Sequence, residues 1–132
     1  MNGVLLDTNV WLWASGASDR LGVRARALIA DAAVDVVFSV VSAWEIVIKA
    51  GLGKLDLVGA PDDYIRARLR AQRLRVLPCT LEHTLTVSNL PDHHRDPFDR
   101  LLIAQAMAEH LSILSGDKHL RAYDIDWLDA RR

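Results

Sequence analysis

Short apolar runs alternate along this chain with stretches in which apolar residues recur at helical spacing. The strands predicted around these runs are residues 4–6, 34–38, 76–77, 112–115 and 125–128. Such runs are typical of strands in a parallel sheet, because both faces of these strands are covered. The pattern therefore predicts five short strands.

Helical spacing and helix-end signals predict the segments between these strands. Ser39 and Thr80 are favourable N-caps, and Pro61 and Pro97 stand where a first helical residue is expected. The predicted helices are residues 10–14 (a short helix or turn), 21–33, 40–50, 61–73, 81–89, 97–110 and 118–122. Strands that alternate with helices predict an α/β fold whose small, mainly parallel sheet is covered on both faces. We expect a single domain over residues 1–132.

Composition narrows the class of protein. The chain has 132 residues, of which 51% are hydrophobic and 25% charged, and this fits a compact soluble domain. Its single cysteine, Cys79, cannot form an internal disulfide, which fits a reducing cytoplasm. No apolar stretch approaches the roughly 18 residues that span a bilayer, and the N-terminus lacks a signal-peptide pattern. We therefore expect a cytoplasmic protein without a membrane partner.

Two aspartates follow predicted strands. Asp7 comes directly after residues 4–6, and Asp117 comes shortly after residues 112–115. Open α/β sheets bind their ligands outside the carboxyl ends of the strands. Each aspartate also has an ordinary alternative role, because aspartate caps the helix that follows it. Taken singly, neither position decides between the two roles.

Glu45 lies within an apolar stripe of the predicted helix 40–50. The stripe consists of Val41, Trp44, Ile48 and Leu52. A carboxylate on a covered face costs several kcal/mol unless it is paired, protonated or bound to a metal. The alternative is an exposed i, i+4 pair with Lys49, worth only about 0.3–0.5 kcal/mol. The flanking apolar residues favour a functional carboxylate.

Two further acids, Asp96 and Asp99, flank Pro97 at the start of the predicted helix 97–110. The helix dipole favours acids in a first turn, so capping is again an alternative. However, two acids, a proline and Arg100 within five residues exceed what capping requires. Asp99 lies one turn into the helix, from where its side chain can reach the edge of the sheet.

These acids together predict a metal site. Carboxylates gathered in one place raise one another's pKa unless a cation neutralises them. Ligation by oxygen alone, without histidine or cysteine spacing, favours Mg²⁺ or Mn²⁺ over zinc. Such ions activate a water and stabilise the leaving oxygen of a phosphodiester. The residues therefore indicate metal-dependent phosphoryl transfer.

The motifs that contain these acids resemble those of the PIN-domain ribonucleases, and among them the VapC toxins of bacterial toxin–antitoxin pairs. The matching motifs are Leu6-Asp7-Thr8-Asn9 with Trp11 and Trp13, Ser42-Ala43-Trp44-Glu45-Ile46 with Lys49, Gly53-Lys54-Leu55, the block 94–106 and Ser115-Gly116-Asp117. They occur in the family's order and cover essentially the whole chain. The block 94–106, which begins His94-Arg95-Asp96-Pro97-Phe98-Asp99, is highly specific.

The resemblance implies a three-layer α/β/α sandwich and an endoribonuclease that depends on Mg²⁺ or Mn²⁺. It assigns metal binding and catalysis to four acids, namely Asp7, Glu45, Asp99 and Asp117. Asp96, an acid of the same block, is a further candidate metal ligand. Asp99 ranks first of the two, because the family pattern places the ligand seven residues before the alanine that matches Ala106.

The resemblance also implies supporting residues and partners. Thr8 and Asn9 would steady the carboxylates, a role that metal sites usually need filled. Members of the family commonly form homodimers, and a cognate DNA-binding antitoxin of the VapB type holds them inactive. The expected partners are therefore RNA, an antitoxin and a second copy of the chain.

The formal net charge of −1 does not by itself indicate an RNA-binding protein. Arginines are nevertheless concentrated within ten positions, at Arg66, Arg68, Arg70, Arg73 and Arg75. We expect phosphate contacts from Arg66, Arg70, Arg73 and Arg100, which position a strand without reading its sequence. The alternative for each arginine is a solvated helix face.

For the loop histidines and the tryptophans, we expect surface or structural positions and not catalytic roles. His93 and His94 lie in a polar loop, where we expect solvated side chains. Tryptophans can stack bases, but Trp11, Trp13 and Trp44 stand in apolar patterns, which predict a place in the core or in a dimer interface.

Two other protein classes also place an aspartate after a first strand. A phosphatase of the haloacid-dehalogenase type needs a second aspartate two residues later, where this chain has Asn9. A receiver-like metal-binding module needs an acidic pair at the first strand and an aspartate after the third, where the chain reads Val76-Leu77-Pro78-Cys79. The sequence therefore favours the nuclease over both.

Overall fold

A five-stranded sheet forms the centre of the computed structural model, which describes residues 3–132. The strands are β1 Val4–Leu6, β2 Val36–Ser39, β3 Arg75–Leu77, β4 Ser112–Ser115 and β5 Trp127–Asp129. Their order is β3-β2-β1-β4-β5, and every neighbouring pair is parallel. All five predicted strands are confirmed. Met1 and Asn2, the first positions of the predicted domain, lie outside the described residues.

Within residues 3–132, six α-helices and one 3-10 helix connect the strands. They are α1 Thr8–Ser15, α2 Val23–Ala30, α3 Val40–Gly51, α4 Pro61–Ala71, α5 Leu81–Val87, α6 Pro97–Ala108 and the 3-10 helix Lys118–Ala122. Helix α1 is longer than predicted because Asp7 caps it, accepting a hydrogen bond from the Thr8 amide. Helix α2 is shorter because Asp31 forms a turn, with its carboxylate accepting from the Ala33 amide. None of these helices has the length and hydropathy of a membrane-spanning segment.

Two hydrophobic cores lie on opposite sides of the sheet. On one side, Leu5 belongs to the same core as Leu102 of α6. On the other side, Leu6 shares a core with Trp11 of α1 and Ile65 of α4. Successive strand residues face opposite sides, so the central strands β1, β2 and β4 contribute to both cores. The predicted three-layer α/β/α sandwich is confirmed.

The buried face of α3 differs from the predicted apolar stripe. Trp44 and Leu52 are 57% and 65% exposed, so the prediction was wrong for these two residues. The buried positions are Val41, Ser42, Glu45 and Ile46. Helical spacing alone does not show which side of a helix the sheet covers. Glu45 is buried as expected, although beside Ser42 rather than within an apolar stripe.

The topology positions a site at the carboxyl ends of β1 and β4. From β1 the chain passes to β2 and β3 on one side, whereas β4 and β5 lie on the other. Such a reversal leaves a crevice between the two central strands, where α/β proteins bind their ligands. Asp7 directly follows β1, and Asp117 lies just beyond β4.

Candidate active site

Ser115, the last residue of β4, connects the aspartates that follow β1 and β4. Its hydroxyl donates to Asp7 Oδ2 at 2.7 Å, and its Oγ accepts from the Asp117 amide at 3.0 Å. The other oxygen of Asp7 accepts from the Thr8 amide at 2.7 Å. Asp7 therefore has the capping role that the sequence allowed and also faces Asp117 across Ser115.

Glu45 approaches Asp7 from α3. Thr8, the neighbour of Asp7, donates from Oγ1 to Glu45 Oε1 at 2.6 Å, and the same Oγ1 lies 2.8 Å from Ser42 Oγ. The other oxygen of Glu45 pairs with Lys49. Burial opposes the charge of Lys49, but the hydrogen bond and charge of Glu45 raise the Lys49 pKa above its ordinary value. The i, i+4 pair is thus present, with Glu45 buried.

Asp96 and Asp99 have different surroundings at the start of α6. Asp96 caps the helix, because its Oδ1 accepts from the amides of Phe98 at 2.9 Å and Asp99 at 3.3 Å. The Asp99 side chain is only 17% exposed, and it accepts no backbone hydrogen bond from the described residues. The Asp96 carboxylate is thus engaged by the backbone at the start of α6, whereas the Asp99 carboxylate is not.

His94 lies between two of the acids, where the sequence predicted a solvated loop residue. Its side chain is 19% exposed, and Nε2 lies 3.2 Å from Asp99 Oδ2 and 3.0 Å from Asp117 Oδ2. The Asp96 amide donates to His94 Nδ1 at 3.1 Å. Because Nδ1 accepts this bond, the proton of the neutral ring is on Nε2, facing both carboxylates. The expectation for His94 was wrong; its place at the start of the specific block 94–106 was the available signal.

Asp7, Glu45, Asp99 and Asp117, which we call the acid cluster, interact through their charges. Burial raises the pKa of Asp99 from 3.8 to about 8, and the charges of Asp7, Asp96, Glu45 and Asp117 contribute. A carboxyl group so perturbed is typical of functional sites, where burial and like charges are combined.

Asp7 and Asp117 are perturbed in opposite directions. Burial raises the Asp7 pKa to about 6, although the hydrogen bond from Ser115 opposes this. Burial also acts to raise the pKa of Asp117, but the His119 amide and the imidazoles of His94 and His119 lower it below its ordinary value. The cluster therefore combines protonatable and ionised carboxyl groups in one place.

The donor set fits a hard divalent cation. Carboxylate oxygens of Asp99 and Asp117 and a ring nitrogen of His94 lie within 4.8 Å of one another, whereas Asp7 and Glu45 are outside this tight group. With its proton on Nε2, His94 donates to the two carboxylates instead of binding an ion, so the available ligands are carboxylate oxygens. Carboxylate oxygens are the preferred ligands of Mg²⁺ and Mn²⁺, and a cation would relieve the repulsion that raises the Asp99 pKa. The residues present could therefore hold such an ion.

The predicted RNA-binding arginines lie in different parts of the structure. Arg73 lines a pocket with Val36, beside the amino ends of the strands and thus at the opposite edge of the sheet. Arg66 and Arg70 are exposed on α4. The Arg100 guanidinium donates to the carbonyl of Val87 at the end of α5 and to the carbonyls of Pro91 and His94 in the loop before α6. These contacts give Arg100 a role in holding that loop.

A polar pocket of about 330 Å³ opens beside the cluster. It is lined by Asp7, Asn9, Trp13, Gly116, Asp117 and Arg131. Asn9, predicted to steady the carboxylates, lies in this pocket and is exposed, whereas Thr8 is buried and bonded to Glu45. Arg131 lies outside all the motifs named above, so no sequence signal indicated its place in this pocket.

Comparison with protein families identifies the domain. The model of the PIN domain matches residues 4–126. The chain belongs to the PIN-domain family. Neither alternative, the haloacid-dehalogenase phosphatase or the receiver-like module, accounts for this match. No curated protein sequence matches the chain significantly.

Solved structures share the PIN fold over nearly the whole chain. VapBC2 from Rickettsia felis, bound to a DNA fragment from its promoter, has 15% identity and a TM-score of 0.69 over 96% of this chain and 97% of that one. VapBC from Salmonella typhimurium, also bound to DNA, has 16% identity and a TM-score of 0.69 over 98% of each chain. VapBC-1 from nontypeable Haemophilus influenzae has 18% identity and a TM-score of 0.62 over 98% of each. At such identities, these likenesses show the fold.

The bridging hydroxyl of Ser115 can be tested separately from the acids. We expect Ser115→Ala to weaken Mn²⁺ binding about 10–100-fold, because residues that orient metal ligands typically contribute this much. Calorimetric titration measures the change. Ser112→Ala is the matched control, since Ser112 Oγ donates to Asp126 at the other end of β4. Equal affinity in wild type and Ser115→Ala would contradict the orienting role.

Proposed function

We propose that this protein is a Mg²⁺- or Mn²⁺-dependent endoribonuclease that hydrolyses phosphodiester bonds of RNA. The observation that carries the proposal is the acid cluster, where burial and neighbouring charges raise the Asp99 pKa to about 8. Asp7, Glu45, Asp99 and Asp117 are its proposed metal ligands and catalytic residues, and Asp96 is a further candidate ligand. A PIN-domain fold with this cluster at the carboxyl ends of β1 and β4 supports the same activity.

Side chains around the cluster have separate proposed tasks. Thr8 holds Glu45 and Ser115 holds Asp7, so both carboxylates keep one orientation. Lys49 neutralises the outer oxygen of Glu45, and the Nε2 proton of His94 binds Asp99 and Asp117. When bound, a divalent ion would activate the attacking water and stabilise the departing 3′-oxygen.

We also propose that the protein acts in the cytoplasm as the toxin of a VapBC-type pair, with residues 1–132 as one PIN domain. The support is that similar solved structures are VapBC complexes, two of them bound to DNA. A VapB-type antitoxin and a second copy of the chain are the proposed protein partners. Arg66, Arg70, Arg73 and Arg100 remain candidate RNA contacts, although the contacts of Arg100 favour a role in its loop.

Cleavage products provide the direct test of the proposed reaction. The purified chain is incubated with end-labelled RNA in Mg²⁺, in Mn²⁺ and in EDTA, and fragment ends are mapped by sequencing and mass spectrometry. In-line attack by water with a 3′-oxygen leaving group predicts fragments with 3′-hydroxyl and 5′-phosphate ends, formed only with metal. Fragments with cyclic phosphate ends, or equal cleavage in EDTA, would contradict the mechanism.

A further inference from the structure

Arg131 forms one wall of the 330 Å³ pocket that also contains Asp7 and Asp117 of the acid cluster. We propose that its guanidinium binds a phosphate of the RNA strand next to the bond that is cut. This inference rests on the proposed function, because it names the group that holds the substrate beside the proposed metal ligands.

Three contacts hold Arg131 at the pocket. Its guanidinium lies over the Trp13 ring, with Cζ 5.2 Å from the ring centroid. Its Nε donates to the Gly116 carbonyl at 3.3 Å, and its backbone amide donates to Asp129 Oδ1 at 2.9 Å. Stacking on a tryptophan face leaves the edge of the guanidinium plane available for hydrogen bonds. An exposed arginine held in this way keeps an orientation that solvated arginines lack.

The positive charge of Arg131 has no carboxylate partner among residues 3–132. It forms no ion pair within 4.0 Å there, although Asp7 and Asp117 line the same pocket. Its Nη atoms also donate no hydrogen bond to the described residues. A phosphate accepts two parallel hydrogen bonds from the outer edge of a guanidinium. These donors therefore have the chemistry that a phosphate needs.

The pocket needs a cation at this wall if it is to admit RNA. A phosphate that approaches Asp7 and Asp117 is repelled by any ionised carboxylate that a metal does not neutralise. Within the pocket lining, Arg131 is the positively charged side chain. The predicted arginine Arg73 lies at the opposite edge of the sheet. Arg131 is thus better placed for a phosphate near the acids than Arg73.

Gly116 makes this arrangement possible. A Cβ built at position 116 would lie 2.9 Å from Trp13 and 3.2 Å from Arg131 Nε. A side chain there would force Trp13 or Arg131 to shift. The absence of a side chain at Gly116, in the motif Ser115-Gly116-Asp117, therefore leaves room for Trp13 and Arg131 at the pocket.

Binding of a fluorescein-labelled single-stranded RNA of mixed sequence tests the proposal. Fluorescence anisotropy is measured in Ca²⁺ over a series of KCl concentrations, in the Asp99→Asn background so that the RNA is not cut. Arg131→Gln should weaken binding about tenfold, as expected for one charged hydrogen-bonded contact. It should also reduce the slope of log Kd against log salt by about 0.7, the value for one phosphate contact on a single strand.

Arg132→Gln is the matched control, because it removes the same charge one position away. Arg132 is exposed and lines a different pocket with Arg24 and Trp127. It should change neither the affinity nor the slope appreciably. Arg131→Lys should keep the salt slope, since the charge remains, and lose part of the affinity with the planar stack. Equal losses in the variants at 131 and 132, or wild-type binding by Arg131→Gln, would overturn the proposal.

Steady-state cleavage by Arg131→Gln, with Asp99 intact, shows whether the variant loses affinity for RNA or loses its folded structure. Arg131→Gln should raise KM about tenfold and leave kcat and the melting temperature nearly unchanged. If RNA is cut but KM is unchanged, this inference fails and the proposed function stands. If wild-type protein neither cuts nor binds RNA, both fail.

Discussion

Replacing Asp7 by Asn or Glu45 by Gln is expected to slow Mn²⁺-dependent RNA cleavage by at least about 10³-fold. Each change removes a proposed metal ligand, and a bound ion contributes several kcal/mol to transition-state stabilisation. A loss of about 1.4 kcal/mol slows the reaction tenfold. Both variants keep the size and polarity of the side chain, and Asn at position 7 can still accept the Thr8 amide at the start of α1. Single-turnover cleavage of labelled RNA measures the effect.

Asp35→Asn is the matched control for these variants. Asp35 precedes β2 and pairs with Arg75 at the amino end of β3, away from the acid cluster. It should cleave RNA at the wild-type rate. Wild-type cleavage by Asp7→Asn and Glu45→Gln, with circular dichroism showing intact folding, would remove both residues from the proposed catalytic set.

Without metal, Asp99→Asn should raise the stability of the protein at pH 8. The pKa of Asp99 is raised from 3.8 to about 8, so the folded state holds a proton that the unfolded state releases. Stability from this proton is fully present below pH 3.8 and is lost as the pH rises towards about 8. An amide at position 99 does not titrate and avoids that loss. We expect a gain on the order of 2 kcal/mol at pH 8, well below the value of the full shift because the site is partly solvated.

Thermal melts of wild type and Asp99→Asn in EDTA measure this difference. It should be small near pH 4 and grow between pH 4 and 8, reaching roughly 5–10 °C. Saturating Mn²⁺ should stabilise wild type at pH 8, by about 2.7 kcal/mol at a hundred times Kd, and should stabilise Asp99→Asn much less. A variant that is less stable than wild type at pH 8 in EDTA would contradict the assignment of Asp99 as a repelled, buried carboxyl.

Strands and acids were predictable because both leave local marks in the sequence. Residues 4–6 and 111–114 are short apolar runs that predict strands. Because parallel strands end at one edge of the sheet, the sequence alone places Asp7 and Asp117 near each other. The apolar positions around Glu45 and the two acids beside Pro97 singled out Glu45 and Asp99 as well, and the family motifs contain both residues. The burial of Asp99 and its closeness to other acids, which together raise its pKa, follow from the fold.

Contacts between distant segments were harder to predict from the sequence. His94 reaches Asp117 across 23 positions, and the polar composition of its loop predicts solvent exposure; only its place at the start of block 94–106 indicated otherwise. Arg131 meets Trp13 only because the end of the chain returns beside α1. The exposure of Trp44 depends on which side of α3 faces the sheet, which helical spacing leaves open. Each of these depends on tertiary placement rather than on local pattern.

Anomalous diffraction from a crystal of the Mn²⁺-loaded protein tests the central claim most directly. The claim is that a divalent ion makes the gathering of Asp7, Glu45, Asp99 and Asp117 tolerable. We predict an anomalous peak at about 2.1–2.3 Å from carboxylate oxygens of at least two of these residues, Asp99 among them. Bound Mn²⁺ found only elsewhere, or a cluster without any peak at saturating Mn²⁺, would contradict the account.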